Sequence, residues 1–215
     1  PCARSVLGGG TTVIMTMMHL VRHGRSVWNA AGRIQGQIDI ELDEIGLQQA
    51  QRIADRLGRE PIAAIYSSPL LRAKATADAI AERFKLPVTP DARLMEYDFG
   101  AISGMTWAEV AENHPELANR WLEDPWAVSV AGSEGRVNFA ARVMSAMRDI
   151  YAQHPAEHVA IVAHGGTFGV YLTAMLGLDL NRRHPFHFGN TSLSLVEIRE
   201  GVFHIHSLNN TCHLS

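Results

Sequence analysis

Cysteine is nearly absent from this chain: among 215 residues there are two, Cys2 and Cys212, close to opposite ends. No disulfide framework is indicated, and such usage suits a reducing cytoplasm, which is the expected setting. Long apolar runs are also missing. None approaches the roughly 20 residues needed to span a bilayer, so no membrane partner is expected. Positive charge is not in excess either, since 19 Lys and Arg stand against 22 Asp and Glu for a formal net charge of −3. That removes the usual electrostatic ground for binding nucleic acid. No repeat, low-complexity tract or linker divides the chain. Residues 1–16 carry one basic side chain, Arg4, and are interrupted by glycine and threonine, so they lack the apolar core of a secretion signal. The expectation is a leader over 1–16 that is non-native or disordered, followed by a single domain over 17–215.

What is present is a hydrophobic content of 47% with 19% charged residues, the balance of one globular domain. A chain this long buries roughly 70% of its unfolded surface, enough for a core without staples. Periodicity predicts strands at Met17–Arg22, Ile62–Tyr66 and His158–Ala163, with a closing hairpin of Ser192–Ile198 and Val202–Ser207. Helices are predicted over Asp43–Leu57, from a Ser68 cap and Pro69 to about Phe84, and from the Thr106–Glu109 capping box to Pro115. Two more are predicted from a Ser133 cap to about Gln153 and over Gly166–Leu176. Arg93–Phe99 reads as a strand or extended turn. Strands alternating with helices imply an α/β class: a three-layer α/β/α sandwich with a mostly parallel sheet. The stretch of about 100–132, which holds Trp107, Trp121 and Trp126 and has no strand pattern, is expected to be a helical lid.

Two segments carry the chemistry, Leu20-Val21-Arg22-His23-Gly24 and Val162-Ala163-His164-Gly165-Gly166. Each is an apolar run ending in a basic residue and glycine, as when a buried strand delivers a histidine to the lip of a sheet. Ligands of such sheets bind outside the carboxyl ends of the strands. The other junctions present Ser67-Ser68 with Arg72 in the next helix, and Glu96. Arginine grips phosphate oxygens through its planar fork. Helix starts add partial positive charge, and Gly165-Gly166 lets backbone come close to a ligand. A neutral imidazole is a competent nucleophile toward phosphorus. Arg22 and Arg72 disfavour protonation of His23, and Glu96 is placed to protonate a departing alkoxide.

At this point Arg22-His23-Gly24 with Ser26 and Trp28-Asn29, then Arg72, Glu96 and His164, resemble the histidine phosphatase superfamily, also called phosphoglycerate-mutase-like. The resemblance runs from about Met17 to Asn210-Thr-Cys-His213-Leu. It implies that His23 is the phosphorylated residue, that Arg22, Arg72 and His164 hold the phosphoryl oxygens, and that Glu96 is the proton donor. It further implies that Asn29 touches the phosphoryl group and that Gln35-Gly36 lines the substrate mouth. Arg33-Ile-Gln35-Gly36-Gln37-Ile-Asp39 and Leu94-Met-Glu96-Tyr-Asp-Phe-Gly100 look like the small broad-specificity phosphatases and those acting on sugar-conjugated phosphoglycerate. Phosphoglycerate mutases usually show Glu-Arg-His-Tyr-Gly at the Glu96 position and a longer insertion before the second histidine. Arg25 and Gly132-Ser133-Glu134-Gly135 depart from the family pattern at the site entrance.

The expectation is a phosphomonoesterase that hydrolyses a small phosphorylated metabolite through a phosphohistidine, without cofactor or metal, as a monomer or homodimer. The rivals are a 2,3-bisphosphoglycerate-dependent mutase, a non-catalytic phospho-ligand binder and a metallohydrolase. The lid stretch carries only Arg120 as a basic residue beside Glu109, Glu112, Glu116, Glu123 and Asp124, a poor cradle for a doubly phosphorylated glycerate. His204 and His206 alternate on one strand, with no carboxylate or cysteine completing a metal set by spacing. His184 and His187 also lie close together without such a set being completed, and the pair Arg182-Arg183 reads as a solvated helix end.

Overall fold

A computed structural model of the chain describes residues 15–123, 130–180, 182 and 184–215. The leader through position 14 and the predicted features at Asp124, Trp126 and Arg183 lie outside the described residues. Six strands form one sheet in the order β3-β2-β4-β1-β5-β6: β1 Met15–Arg22, β2 Ile62–Ser67, β3 Val88–Pro90, β4 His158–Ala163, β5 Leu193–Arg199 and β6 Val202–Asn210. The first four are parallel, while β5 and β6 run antiparallel as the closing hairpin. The helices are α1 Val27–Ala30, α2 Glu44–Leu57, α3 Leu71–Phe84, α4 Trp107–Asn113, α5 Pro115–Glu123, α6 Arg136–Gln153 and α7 Gly165–Met175.

The alternation of side chains along β1 builds both layers. Met18 and Leu20 face one way, into a core with Phe139, Val143 and Met147 of α6 and Phe168 and Leu172 of α7. Val21 faces the other way, among Ile53 and Leu57 of α2 and Ala73, Ala77 and Ile80 of α3. A strand covered on both faces reads as a near-continuous apolar run, interrupted here by the buried Thr16 and His19. The stretch after Gly100 has a small core of its own, Ile102, Val110, Ala118 and Val130, against which Phe99 and Trp121 pack.

Several predicted boundaries move for physical reasons. β1 begins at Met15, so the leader expected to reach Thr16 ends earlier; Thr16 is buried and its hydroxyl donates to the His154 carbonyl. Ser68 does not cap α3. That helix starts at Leu71, whose N–H donates to Asp39 Oδ1 at 2.6 Å, and Leu70 is its uncapped flank. Ser133 does not cap α6 either; Gly135, at a φ of 75°, makes the turn into it. Arg93–Phe99 forms no strand; the short 3₁₀ turn Ala92–Leu94 is followed by chain without regular structure through Phe99. β3 is an edge strand of three residues ending in proline, too short for a period-2 signal.

The loop leaving β1 is pressed onto α2. Asp43 caps α2 by accepting from Gly46 N–H at 2.7 Å, and its other oxygen accepts from Arg25 Nε at 2.6 Å. Arg25, a departure from the family pattern, therefore fastens this loop to the helix. A Cβ on Gly46 would stand 1.9 Å from the Arg25 carbonyl oxygen, backbone against backbone. Gly46→Ala is expected to destabilise the fold by about 1–3 kcal/mol, the usual range for overpacking. It also shifts the loop after His23. Urea unfolding and the amide NMR shifts of residues 24–26 check both, and unchanged stability and shifts would show that the contact is slack.

Candidate active site

Strand register places the two histidines. β1 and β4 pair Arg22 with Ala163, and His23 N–H donates to the Ala163 carbonyl at 3.0 Å. The next residue on each strand is a histidine, and the ring centroids of His23 and His164 lie 5.1 Å apart. β2 adds Ser68, whose N–H donates to the Val162 carbonyl at 2.9 Å and whose Oγ lies 2.8 Å from His164 Nε2. So Ser68, expected as a cap, is instead a partner of the second histidine.

Both rings are buried, and burial is the first cause that holds them well below the ordinary imidazole range. The guanidinium groups of Arg22 and Arg72 push in the same direction for each ring, as expected for His23. His23 Nδ1 lies 2.7 Å from the Gly24 carbonyl, which can only accept, so the proton sits on Nδ1 and the Nε2 lone pair is free.

Arg22 donates through Nη1 to the Phe188 carbonyl. Arg72 is almost fully buried at 1% exposure and donates through Nη1 to the Ile38 carbonyl at 2.9 Å and through Nη2 to the Gly36 carbonyl at 2.7 Å. Burial pushes Arg72 down to about 10, which leaves it cationic near neutrality. Three buried nitrogens here have no partner: Arg22 Nε, Arg72 Nε and His164 Nδ1.

Glu96 lies opposite. Its Oε1 accepts from Tyr97 N–H at 2.8 Å and its Oε2 from Gly166 N–H, in the first turn of α7, at 3.1 Å. A Cβ on Gly166 would fall 2.2 Å from Glu96 Oε1, so this glycine makes room for the carboxylate. Gly165 has no such constraint, since a Cβ there would meet Arg22 at an ordinary 3.8 Å. The Glu96 backbone is held from α6: Arg142 donates to the carbonyls of Arg93, Met95 and Glu96 at 2.7–2.8 Å, and its other edge pairs with Glu134.

Asn29 and Gln35 join the same side. Asn29 Oδ1 accepts from Ser26 N–H and from Asn190 Nδ2, each at 3.2 Å. Asn190 also donates to the His23 carbonyl at 3.2 Å. Ser26 Oγ–H donates to Gln35 Oε1 at 2.7 Å. Every predicted site residue thus belongs to one connected cluster. A cleft of about 360 Å³ opens beside it, lined among others by Arg22, Glu96, Phe99, Trp121, Gly166 and His187. Sequence reading missed Arg142 and Asn190, which act from 46 and 167 residues away in the chain and carry no local motif. His206, read as lacking a carboxylate by spacing, does meet one: Glu197 on the neighbouring strand, at 2.7 Å.

Stability should depend on pH through the buried histidines. His19, His23 and His164 are held below the ordinary value in the fold, while in the unfolded chain they take up protons below about pH 6.5. Stability is therefore full above about pH 6.5 and is lost as the pH falls toward the folded values. His19, lowered to about 4, accounts for on the order of 3 kcal/mol by pH 4. The expected result is a falling urea midpoint between pH 7 and 5, before carboxylates titrate. A flat midpoint over that range would contradict it.

Residues 18–211 match the model of the histidine phosphatase superfamily, branch 1. The chain is 39% identical over 200 residues to phosphoserine phosphatase 1 of Hydrogenobacter thermophilus, covering 93% of this chain and 95% of that one. It is 38% identical to the metal-independent phosphoserine phosphatase of Arabidopsis thaliana, covering 94% and 84% respectively. The solved structure of a mycobacterial glucosyl-3-phosphoglycerate phosphatase superposes with a TM-score of 0.83 at 31% identity, covering 92% of this chain and all of that one, 100%. With that match over most of its length, the chain belongs to the histidine phosphatase superfamily.

Proposed function

We propose that the chain is a phosphomonoesterase working through a phosphohistidine on His23, with a small phosphorylated carboxylate, phosphoserine first, as its substrate. The observation that carries this reading is the set of three partnerless buried nitrogens on Arg22, Arg72 and His164, gathered around an imidazole whose Nε2 lone pair is free. Buried polar groups are ordinarily satisfied, and a phosphoryl group supplies oxygen acceptors for all three. With the Ser68 hydroxyl donating to His164 Nε2, the His164 proton sits on Nδ1 and completes the cradle.

In the first step His23 Nε2 bonds to phosphorus as the P–O bond to the alcohol breaks, and Glu96 delivers a proton to the departing oxygen. In the second, water attacks phosphorus, Glu96 takes its proton, and the P–N bond breaks to return His23 and release phosphate. The guanidinium groups and His164 stabilise the charge on the equatorial oxygens through both steps. The carboxylate in the substrate class is supported by the names of the relatives, which act on phosphoserine and glucosyl-3-phosphoglycerate. The cleft volume suits a metabolite of that size. A cytoplasmic setting fits the sparse cysteine content.

Glu96→Gln is expected to lower kcat on phosphoserine by about 10²–10⁴-fold, the range of general acid catalysis. The loss on p-nitrophenyl phosphate should be much smaller, because a nitrophenolate leaves without a proton. His23→Ala should abolish turnover of both. Equal losses in Glu96→Gln would remove it from the donor role, and an active His23→Ala would remove the intermediate.

Phosphate release from a panel of phosphoserine, 3-phosphoglycerate and sugar phosphates, run in EDTA, tests substrate and mechanism together. Phosphoserine should lead the panel, and EDTA should leave the rates unchanged. Interconversion of 3- and 2-phosphoglycerate primed by 2,3-bisphosphoglycerate, with negligible phosphate release, would assign a mutase instead.

A further inference from the structure

A second cluster of ligating groups lies on the α2–α3 face of the sheet, away from the catalytic edge. His19 sits in the middle of β1, four residues before His23, a separation of roughly 13 Å at about 3.3 Å per residue. His158 opens β4, and register brings it beside Met17, one diagonal step from His19 on the same face. Glu60 belongs to the turn between α2 and β2. One ligand atom from each of the three lies within 4.8 Å of the others.

We propose that His19, His158 and Glu60 form a structural divalent-metal site, suited to Zn²⁺, that ties β1, β4 and the α2–β2 turn together. His19 Nε2 and His158 Nδ1 are 3.1 Å apart. Two nitrogens each about 2.0–2.1 Å from one tetrahedral ion stand about 3.3 Å apart, so a small movement admits the metal between them. Two imidazoles and a carboxylate, with water in the fourth position, form a donor set that suits zinc.

The surrounding charges are compatible. Burial holds both rings below the ordinary imidazole value, to about 4 for His19, so both are neutral and able to ligate near pH 7. Among the described residues Arg56 pairs with Glu60; it donates to Oε1 at 3.1 Å and leaves the other oxygen for a metal. His158 and Glu60 are only partly buried, which gives the ion a path from solvent. Among the described residues no side-chain hydrogen bond joins His19, His158 or Glu60 to the groups around His23, so occupancy of the site acts on stability and not on turnover.

The test uses the full chain dialysed against EDTA, then titrated with Zn²⁺ by calorimetry and with Co²⁺ by visible absorption. The expected result is one equivalent bound with the spectrum of tetrahedral cobalt. At a hundredfold excess over Kd, Zn²⁺ should raise the thermal midpoint by about 5–10 °C with kcat unchanged. His158→Ala and Glu60→Gln should each weaken binding at least tenfold and, at the same Zn²⁺ concentration, cut the midpoint shift to about half or less. Glu60 is partly exposed, so its isosteric replacement keeps the test independent of folding. No binding, binding of wild-type strength in both variants, or a midpoint that does not respond to Zn²⁺ would overturn the proposal.

Discussion

Burial of positive charge without a matching carboxylate is the constraint around which this molecule is arranged. Arg22 and Arg72 lie at the carboxyl edge of a sheet whose interior is hydrocarbon on both faces, and each bonds to main-chain carbonyls rather than to an acid. Removing a guanidinium from water is costly unless its donors are met. Carbonyls of Gly36, Ile38 and Phe188 meet them in part, which is why the loops after α1 and before β5 must close over the edge. Burial first, and then the same positive charge, keeps both imidazoles neutral. Glu96, the acid whose field favours both cations, is held across the cleft by the start of α7.

Much of this was readable from the chain alone. A strand that must be apolar on both faces and then end in His-Gly leaves a strong trace, and it left two. The helices α2 and α7 and the closing hairpin follow directly from periodicity and turn residues. The chemistry of Arg22, His23, Arg72, Glu96 and His164 could be argued because each stands at an element boundary, where a polar residue after an apolar run has few structural explanations.

What escaped was long-range. Arg142 lies mid-helix in α6, where an arginine is ordinarily solvated, and only the folded chain shows it gripping three carbonyls around Glu96. Asn190 links Asn29 to His23 across 167 residues. Ser68-Pro69 has the form of a helix start, yet the Ser68 hydroxyl was needed at His164. In each case a local preference yielded to a partner supplied by a distant segment. Burial, rather than the neighbouring arginines, proved the larger reason that His23 stays neutral, and burial is a property of the assembled layers.

The placement of β1 at the centre of the sheet has a consequence for how the protein gains and loses its activity. Its partners β4 and β5 lie more than a hundred residues downstream; among the described residues only the β2–β3 and β5–β6 pairings join consecutive strands. Loop closure on that scale is slow and is compensated only when the whole sheet forms. His23, His164 and Asn190 meet only through those closures. No fragment or partly folded form can therefore hold a working site, and catalytic competence serves as a readout of global, cooperative folding rather than of any local unit.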